Sequence, residues 1–218
     1  MRWGGRAHKE MAVSSGSLGR RGIVAVTIFV AVLGVGTEVA VRLLGLVDFP
    51  LYDANSQIGY IPKPSQSGTF MLKNRWAFNS LSMGTPREFS EHKQNSILLV
   101  GDSLVFGGNS YRDFERLGPQ LEKASGVEVW PISAGSWAMQ NELEYFREHP
   151  DVPAGVDRIV FVFNSGDFGL PSSWASQLTH PREYPVFATW YLLEKYVLPS
   201  AAVTPKNLLV APKNPWKD

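Results

Sequence analysis

The chain contains no cysteine, which excludes structural disulfides, thiolate catalysis and cysteine-based zinc sites and leaves the redox compartment open. Charge of one sign is also missing. Twenty-one basic and 20 acidic residues leave a formal net charge of +1, so no global field draws the protein to nucleic acid or to an acidic partner. Phosphate-loop and dinucleotide fingerprints are absent, because the glycines after Ser103 do not follow the GxGxxG spacing. Asp167 stands without a cluster of histidines and carboxylates around it, so neither a metal nor an organic cofactor is expected. There is no internal repeat. What remains, at 44% apolar and 19% charged over 218 residues, has globular composition and suits one compact domain with an attached segment.

One long hydrophobic run is present. From Ile23 to Val47, "IVAVTIFVAVLGVGTEVAVRLLGLV" is almost wholly apolar, and as a helix it would extend about 37 Å, more than the roughly 30 Å of a bilayer core. Its two charges, Glu38 and Arg42, are one helical turn apart near one end, where they can pair or reach the interface. Arg2, Arg6, Lys9, Arg20 and Arg21 precede the run and Asp48 and Asp53 follow it, which puts residues 1–22 in the cytoplasm and the bulk of the chain outside. The expectation is a single-pass signal-anchor over 23–47. A cleaved signal peptide lacks an evident small-x-small site, since Glu38 stands where a small residue is wanted. A buried helix of a soluble protein fits neither the length nor the flanking arginines. A start at Met11 leaves Arg20 and Arg21 in place and changes nothing.

Residues 48–94 read as linker and lead-in: "DFPLYDANSQIGYIPKPSQSGTF" has no periodicity, while "TFML" and "RWAFNS" suggest short strands. An organised domain is expected over 95–218. "SILLV" (96–100), "VEVWPI" (127–132) and "RIVFVF" (158–163) read as strands, the second with a proline that suits an edge or a strand end. Between them "RDFERLGPQLEKAS" reads as a helix broken at Gly118-Pro119, and "MQNELEYFREH" as a helix with apolar positions Met139, Leu143 and Phe146. Alternation of this kind predicts an α/β fold, a parallel sheet covered on both faces, with its site at the carboxyl ends of the strands.

Three such ends carry candidate chemistry. The first gives Gly101, Asp102 and Ser103, where a tight strand-to-helix turn exposes a hydroxyl. The second, "SAGSW", gives Gly135, whose backbone N–H can approach an oxyanion; the third, "NSGD", gives Asn164, an amide donor. Acyl transfer through a serine needs a nucleophile with two or three donors aimed at the developing negative oxygen. Each residue alone is ordinary: Gly135 suits a turn and Asn164 a strand end. Their coincidence at three consecutive strand ends is the signal.

"VGDSLVFGGN" resembles the first sequence block of the GDSL, or SGNH, hydrolases, a family of serine esterases and acyltransferases. "ISAGSWAMQNELEYF" is similar to the second block and "RIVFVFNSGDF" to the third, where the family's GxND is replaced by Asn164-Ser165-Gly166-Asp167. The anchor, "LYDANSQIGY" and "RWAFNS" are similar to the lead-in of membrane-anchored members, and the resemblance covers most of residues 50–185. It implies a flavodoxin-like three-layer α/β/α fold, with Ser103 as nucleophile and Gly135 and Asn164 in the oxyanion hole. It also implies a histidine in a late DxxH block, and no DxxH occurs. His8 is on the cytoplasmic side, His92 precedes the nucleophile in a polar loop, and His149 ends a helix beside Pro150. His180, with Gln177 three residues before it, is the remaining candidate base, and a loop histidine is the alternative reading. "NLLV" (207–210) reads as a further strand, after which the chain stops short of the expected helix and DxxH segment. The expectation is a domain incomplete at that end relative to its relatives.

The function this implies is hydrolysis or transfer of an ester-linked acyl group on an envelope or exported glycan through a Ser103 acyl-enzyme. The alternatives are an incomplete domain that binds a glycan or protein without turnover, and an assembly subunit whose Glu38 and Arg42 pair with another helix. Trp137 and Trp174 suit either glycan stacking or burial at a sheet–helix interface, and "YPVFATWYLLEKYVLP" (184–199) suits a membrane-facing or sugar-stacking aromatic helix or amphipathic core packing.

Overall fold

The computed structural model describes residues 19–198, apart from the side chains of residues 92 and 93. The expected strand at 207–210 lies outside the described residues. The described residues divide into two compact units between Thr37 and Glu38. Helix α1 (Arg20–Leu43) runs through the first and ends in the second. Its 24 residues, with a mean hydropathy of 2.2 in the most apolar window, are long and apolar enough to cross a membrane. Thr27 and Thr37 return their hydroxyls to the carbonyls of Ile23 and Leu33, so neither interrupts the apolar surface with an unpaired donor.

In the second unit α1 stops four residues before the expected end of the span. Gly45 adopts φ +66°, its N–H donates to the Arg42 carbonyl and the Leu46 N–H donates to the Val41 carbonyl, a Schellman closure. Val47 and Phe49 then pack with Val41 in a core instead of continuing the helix.

The segment expected to be linker contains two antiparallel hairpins, β1 (Tyr52–Asn55) with β2 (Gly59–Pro62), and β3 (Gln66–Phe70) with β4 (Asn74–Phe78). Asn55 makes the first turn by accepting the N–H groups of Gln57 and Ile58 on its side-chain oxygen. Tyr52, Ile58, Tyr60 and Met83 from this segment share one buried cluster with Leu98, Val100, Trp130 and Ile132 of the sheet.

Among the described residues the sheet has three parallel strands in the order β6-β5-β7: β5 (His92–Gly101) at the centre, β6 (Glu128–Ser133) and β7 (Val156–Val162) at its sides. Pro131 lies in β6, where the lost N–H faces away from the ladder on an edge strand. Helix α2 (Ser103–Phe106) follows β5 directly, and a 3-10 turn (Asp113–Glu115) leads into α3 (Leu117–Ser125). The break expected at Gly118-Pro119 falls at Arg116, because proline is tolerated in the first turn of a helix. Helix α4 (Met139–Glu148) and the single turn α5 (Asp151–Ala154) precede β7, and α6 (Ala188–Tyr196) closes the described chain. The face of α4 differs from the apolar pattern: Asn141, Glu142 and Tyr145 are buried while Leu143 is exposed. These elements show a mixed α/β architecture around a parallel sheet. Among the described residues β7 pairs on one side only, and Ile159, Val160 and Phe163 along it are exposed.

Candidate functional site

The register of the sheet brings the three candidate positions to one level. Gly101 pairs with Ser133 on one side and Val162 on the other, so Ser103, Gly135 and Asn164 each lie two residues beyond a paired trio. The chain goes from β5 to β6 on one side and then crosses to β7 on the other, the kind of switch point at which open parallel sheets form their crevices. Gly101 is needed there because a Cβ would stand 2.7 Å from the Val105 side chain and 2.9 Å from the Val162 carbonyl oxygen.

Ser103 opens α2 and is exposed. Asp102, buried beneath it, is the N-cap: one carboxylate oxygen accepts the Leu104 N–H at 2.8 Å, and the other accepts the Ser103 hydroxyl at 3.4 Å and the Asn164 amide at 2.8 Å. The Asn164 amide also donates to Asp167 at 3.1 Å, and its backbone N–H to the same carboxylate at 2.5 Å. Its side-chain oxygen accepts from Gly166 at 2.7 Å. Asn-Ser-Gly-Asp therefore folds into a turn that holds the Asn164 amide between two carboxylates. This is the physical consequence of the exchanged glycine and asparagine: the donor expected in an oxyanion hole is engaged by Asp102 and Asp167.

Gly135 has open space where a Cβ would stand, with His180 Nε2 at 3.9 Å as the nearest atom, so packing does not explain the glycine. The next residue, Ser136, is held at φ +65°, a conformation few non-glycine residues adopt. The Gly135 carbonyl points inward, accepting the Tyr60 hydroxyl at 2.5 Å and the His180 Nε2–H at 3.1 Å.

His180, the candidate base, is occupied in this way. Its ring lies 4.0 Å from that of Tyr60 and 4.9 Å from that of Tyr52, and its Nδ1 is buried without a hydrogen-bond partner. Since a carbonyl only accepts, Nε2 carries the proton, and burial, outweighing the bond to Gly135, lowers the imidazole pKa and keeps the ring neutral. His180 thus joins the β1–β2 hairpin to the Gly135 loop. His149 caps the end of α4 and packs on Tyr145.

Trp137 is buried and donates its indole N–H to the Tyr60 carbonyl at 2.8 Å, and Trp174 donates to the His180 carbonyl at 2.7 Å, so both tryptophans hold the loops together. Asn141 satisfies all four of its amide valences, donating to Ile58 and Ser172 carbonyls and accepting from Ala138 and Ser172 N–H groups.

Two groups that sequence patterns did not mark lie under the site. Glu142 is 0% exposed, neither of its carboxylate oxygens has a hydrogen-bond partner, and burial together with the like charges of Asp167 and Asp102 pushes its pKa up to about 7. Arg116 is buried with Nε and one terminal nitrogen unpaired, its guanidinium 5.3 Å from the Phe106 ring. Helical periodicity pointed to Met139, Leu143 and Phe146, of which Phe146 packs on the core, so Glu142 gave no signal; Arg116 sits in a break that apolar patterning does not register. Comparison with models of known protein families and with curated proteins gives no match.

Proposed function

We propose that Ser103 is the nucleophile of an SGNH-type serine esterase or O-acyltransferase, acting on an ester-linked acyl group, with an envelope or exported glycan as the acyl-bearing molecule and α1 as the membrane anchor. The observation that carries this reading is the shared register: an exposed serine hydroxyl, an unobstructed glycine and the end of β7 lie at one level past the carboxyl edge of a parallel sheet. In the step proposed, Ser103 Oγ attacks the ester carbonyl as its proton passes to Asp102, the acceptor of its hydroxyl, the backbone N–H groups of Ser103 and Gly135 stabilise the oxyanion, and collapse breaks the ester C–O bond, the leaving oxygen taking that proton to depart as the alcohol and leave an acyl-serine. Water or a second alcohol then takes the acyl group.

A second reading, a membrane-anchored binding module without turnover, is favoured by the engagement of Asn164 with Asp102 and Asp167 and of His180 with Gly135. Hydrolysis of an aryl acetate by the full-length protein in detergent separates the two. Turnover abolished by Ser103→Ala and retained in Ser136→Ala supports the esterase. No turnover above background by either wild type or Ser103→Ala supports the binding module.

A further inference from the structure

Helix α6 carries apolar side chains on both of its sides. Ala188, Tyr191 and Leu192 face inward and pack with Val41, Val47 and Phe49. Trp190, Leu193 and Val197 follow the i, i+3, i+7 spacing of a second stripe and are 57%, 37% and 55% exposed, and Val186 and Phe187, just before the start of the helix, are 81% and 70% exposed. A stripe of this size left in water is the mark of an interaction surface.

The place of α6 identifies what covers the stripe. Glu38, in the last turns of α1, accepts the Ala188 and Thr189 N–H groups at 2.9 Å each and so caps the start of α6. Arg42, one turn later, pairs with Glu38 at 2.8 Å and donates to the carbonyls of Pro185 and Val186. Both charges are thereby satisfied within the chain, which leaves the assembly reading without the free helix pair it needed. Glu38 precedes Leu43 by five residues, about 8 Å of helix, and helices lying in a bilayer interface sit about 5–10 Å into the headgroup–acyl boundary. Leu43 and Leu44 are exposed at the end of α1, and an open groove of about 520 Å³ lined by Leu46, Phe70, Met71, Leu193 and Tyr196 extends the apolar surface. Tryptophan and tyrosine among these residues match the composition of a membrane-interface belt.

We propose that α6 is an in-plane interfacial helix whose Val186, Phe187, Trp190, Leu193 and Val197 lie in the headgroup–acyl boundary of the bilayer that α1 enters. The inference rests on α1 being a membrane anchor. With two attachments, the domain does not swing on a single strand of chain.

The absence of cysteine makes the test direct, since any introduced thiol is the only one present. Full-length Trp190→Cys and Val186→Cys, each carrying an environment-sensitive fluorophore, are reconstituted into phosphatidylcholine–phosphatidylglycerol vesicles and purified by flotation, with the exposed hairpin-turn variant Gln57→Cys as reference. The expected result is blue-shifted α6 probes, quenched by nitroxides placed shallowly on the lipid chains and shielded from iodide, while the Gln57→Cys probe is quenched by iodide. Iodide quenching of both α6 probes in floated vesicles overturns the inference and leaves the anchor standing. Shielding from both quenchers overturns it in favour of a protein partner or a second copy. Failure to float overturns the anchor reading and the inference together.

Discussion

Replacing Glu142 with glutamine makes stability at neutral pH rise. The carboxyl is fully buried with no donor to either oxygen, near the charges of Asp167 and Asp102, and its pKa is pushed from 4.5 to about 7. In the unfolded chain the group ionises at the ordinary value. Below that pH both states hold the proton and Glu142 makes no difference. Between 4.5 and about 7 the unfolded chain releases the proton while the folded chain keeps it, so stability falls as pH rises and levels off above the folded pKa. At about 1.4 kcal/mol per pKa unit the loss amounts to about 3 kcal/mol. Glutamine has nearly the same shape and no titration, so Glu142→Gln removes this slope. With a urea dependence of about 2 kcal/mol per molar, the variant's midpoint exceeds the wild-type midpoint by about 1.5 M at pH 8 and equals it near pH 4. Urea titrations of the full-length protein in nonionic detergent, followed by tryptophan emission across that range, measure the difference. A difference between the two proteins that is constant with pH refutes the reasoning.

Two further substitutions test the packing around the site. Gly59→Ala places a methyl group 2.1 Å from the Ser172 carbonyl oxygen at a residue with φ +91°, and is expected to cost about 3 kcal/mol or more, read as a lowered melting temperature. Asn141→Leu strands two carbonyls and two N–H groups between the β1–β2 turn, the start of α4 and the 172 loop. At about 1–3 kcal/mol for each group left buried and unpaired, it destabilises the fold and speeds amide exchange at Ser172 above all.

The sheet strands were legible from short apolar cores, "SILLV" in β5 and "RIVFV" in β7, with "VEVWPI" interrupted by Glu128 and Pro131, and "VGDS" marked the turn that presents Ser103. The hairpin over 52–62 was not, because it enters the core through separated residues, Tyr52, Ile58 and Tyr60, and is joined to the Gly135 loop and to α4 by side-chain hydrogen bonds of Tyr60 and Asn141. Apolar spacing placed Phe146 of α4 against the core but missed Asn141, Glu142 and Tyr145, because a buried network, Asn141 with its four hydrogen bonds, turns a polar side of the helix inward. The same blindness hid the fate of Asn164: composition supplied an amide at the right strand end, and only the geometry of Asp102 and Asp167 shows where that amide is held. In α6 the sequence offered a membrane-facing and a core-facing reading as alternatives; the helix packs one side in a core and leaves apolar residues exposed on another.

The most direct test of the central claim is covalent labelling of the full-length protein with a fluorophosphonate, followed by peptide mass mapping, in wild type, Ser103→Ala and His180→Ala. An activated Ser103 predicts an adduct on the peptide containing Ser103, absent in Ser103→Ala and retained in a folded His180→Ala, because the His180 ring is engaged by Gly135. No adduct on wild-type protein that gives a native urea transition would contradict the nucleophile assignment and leave the binding module as the account of this site.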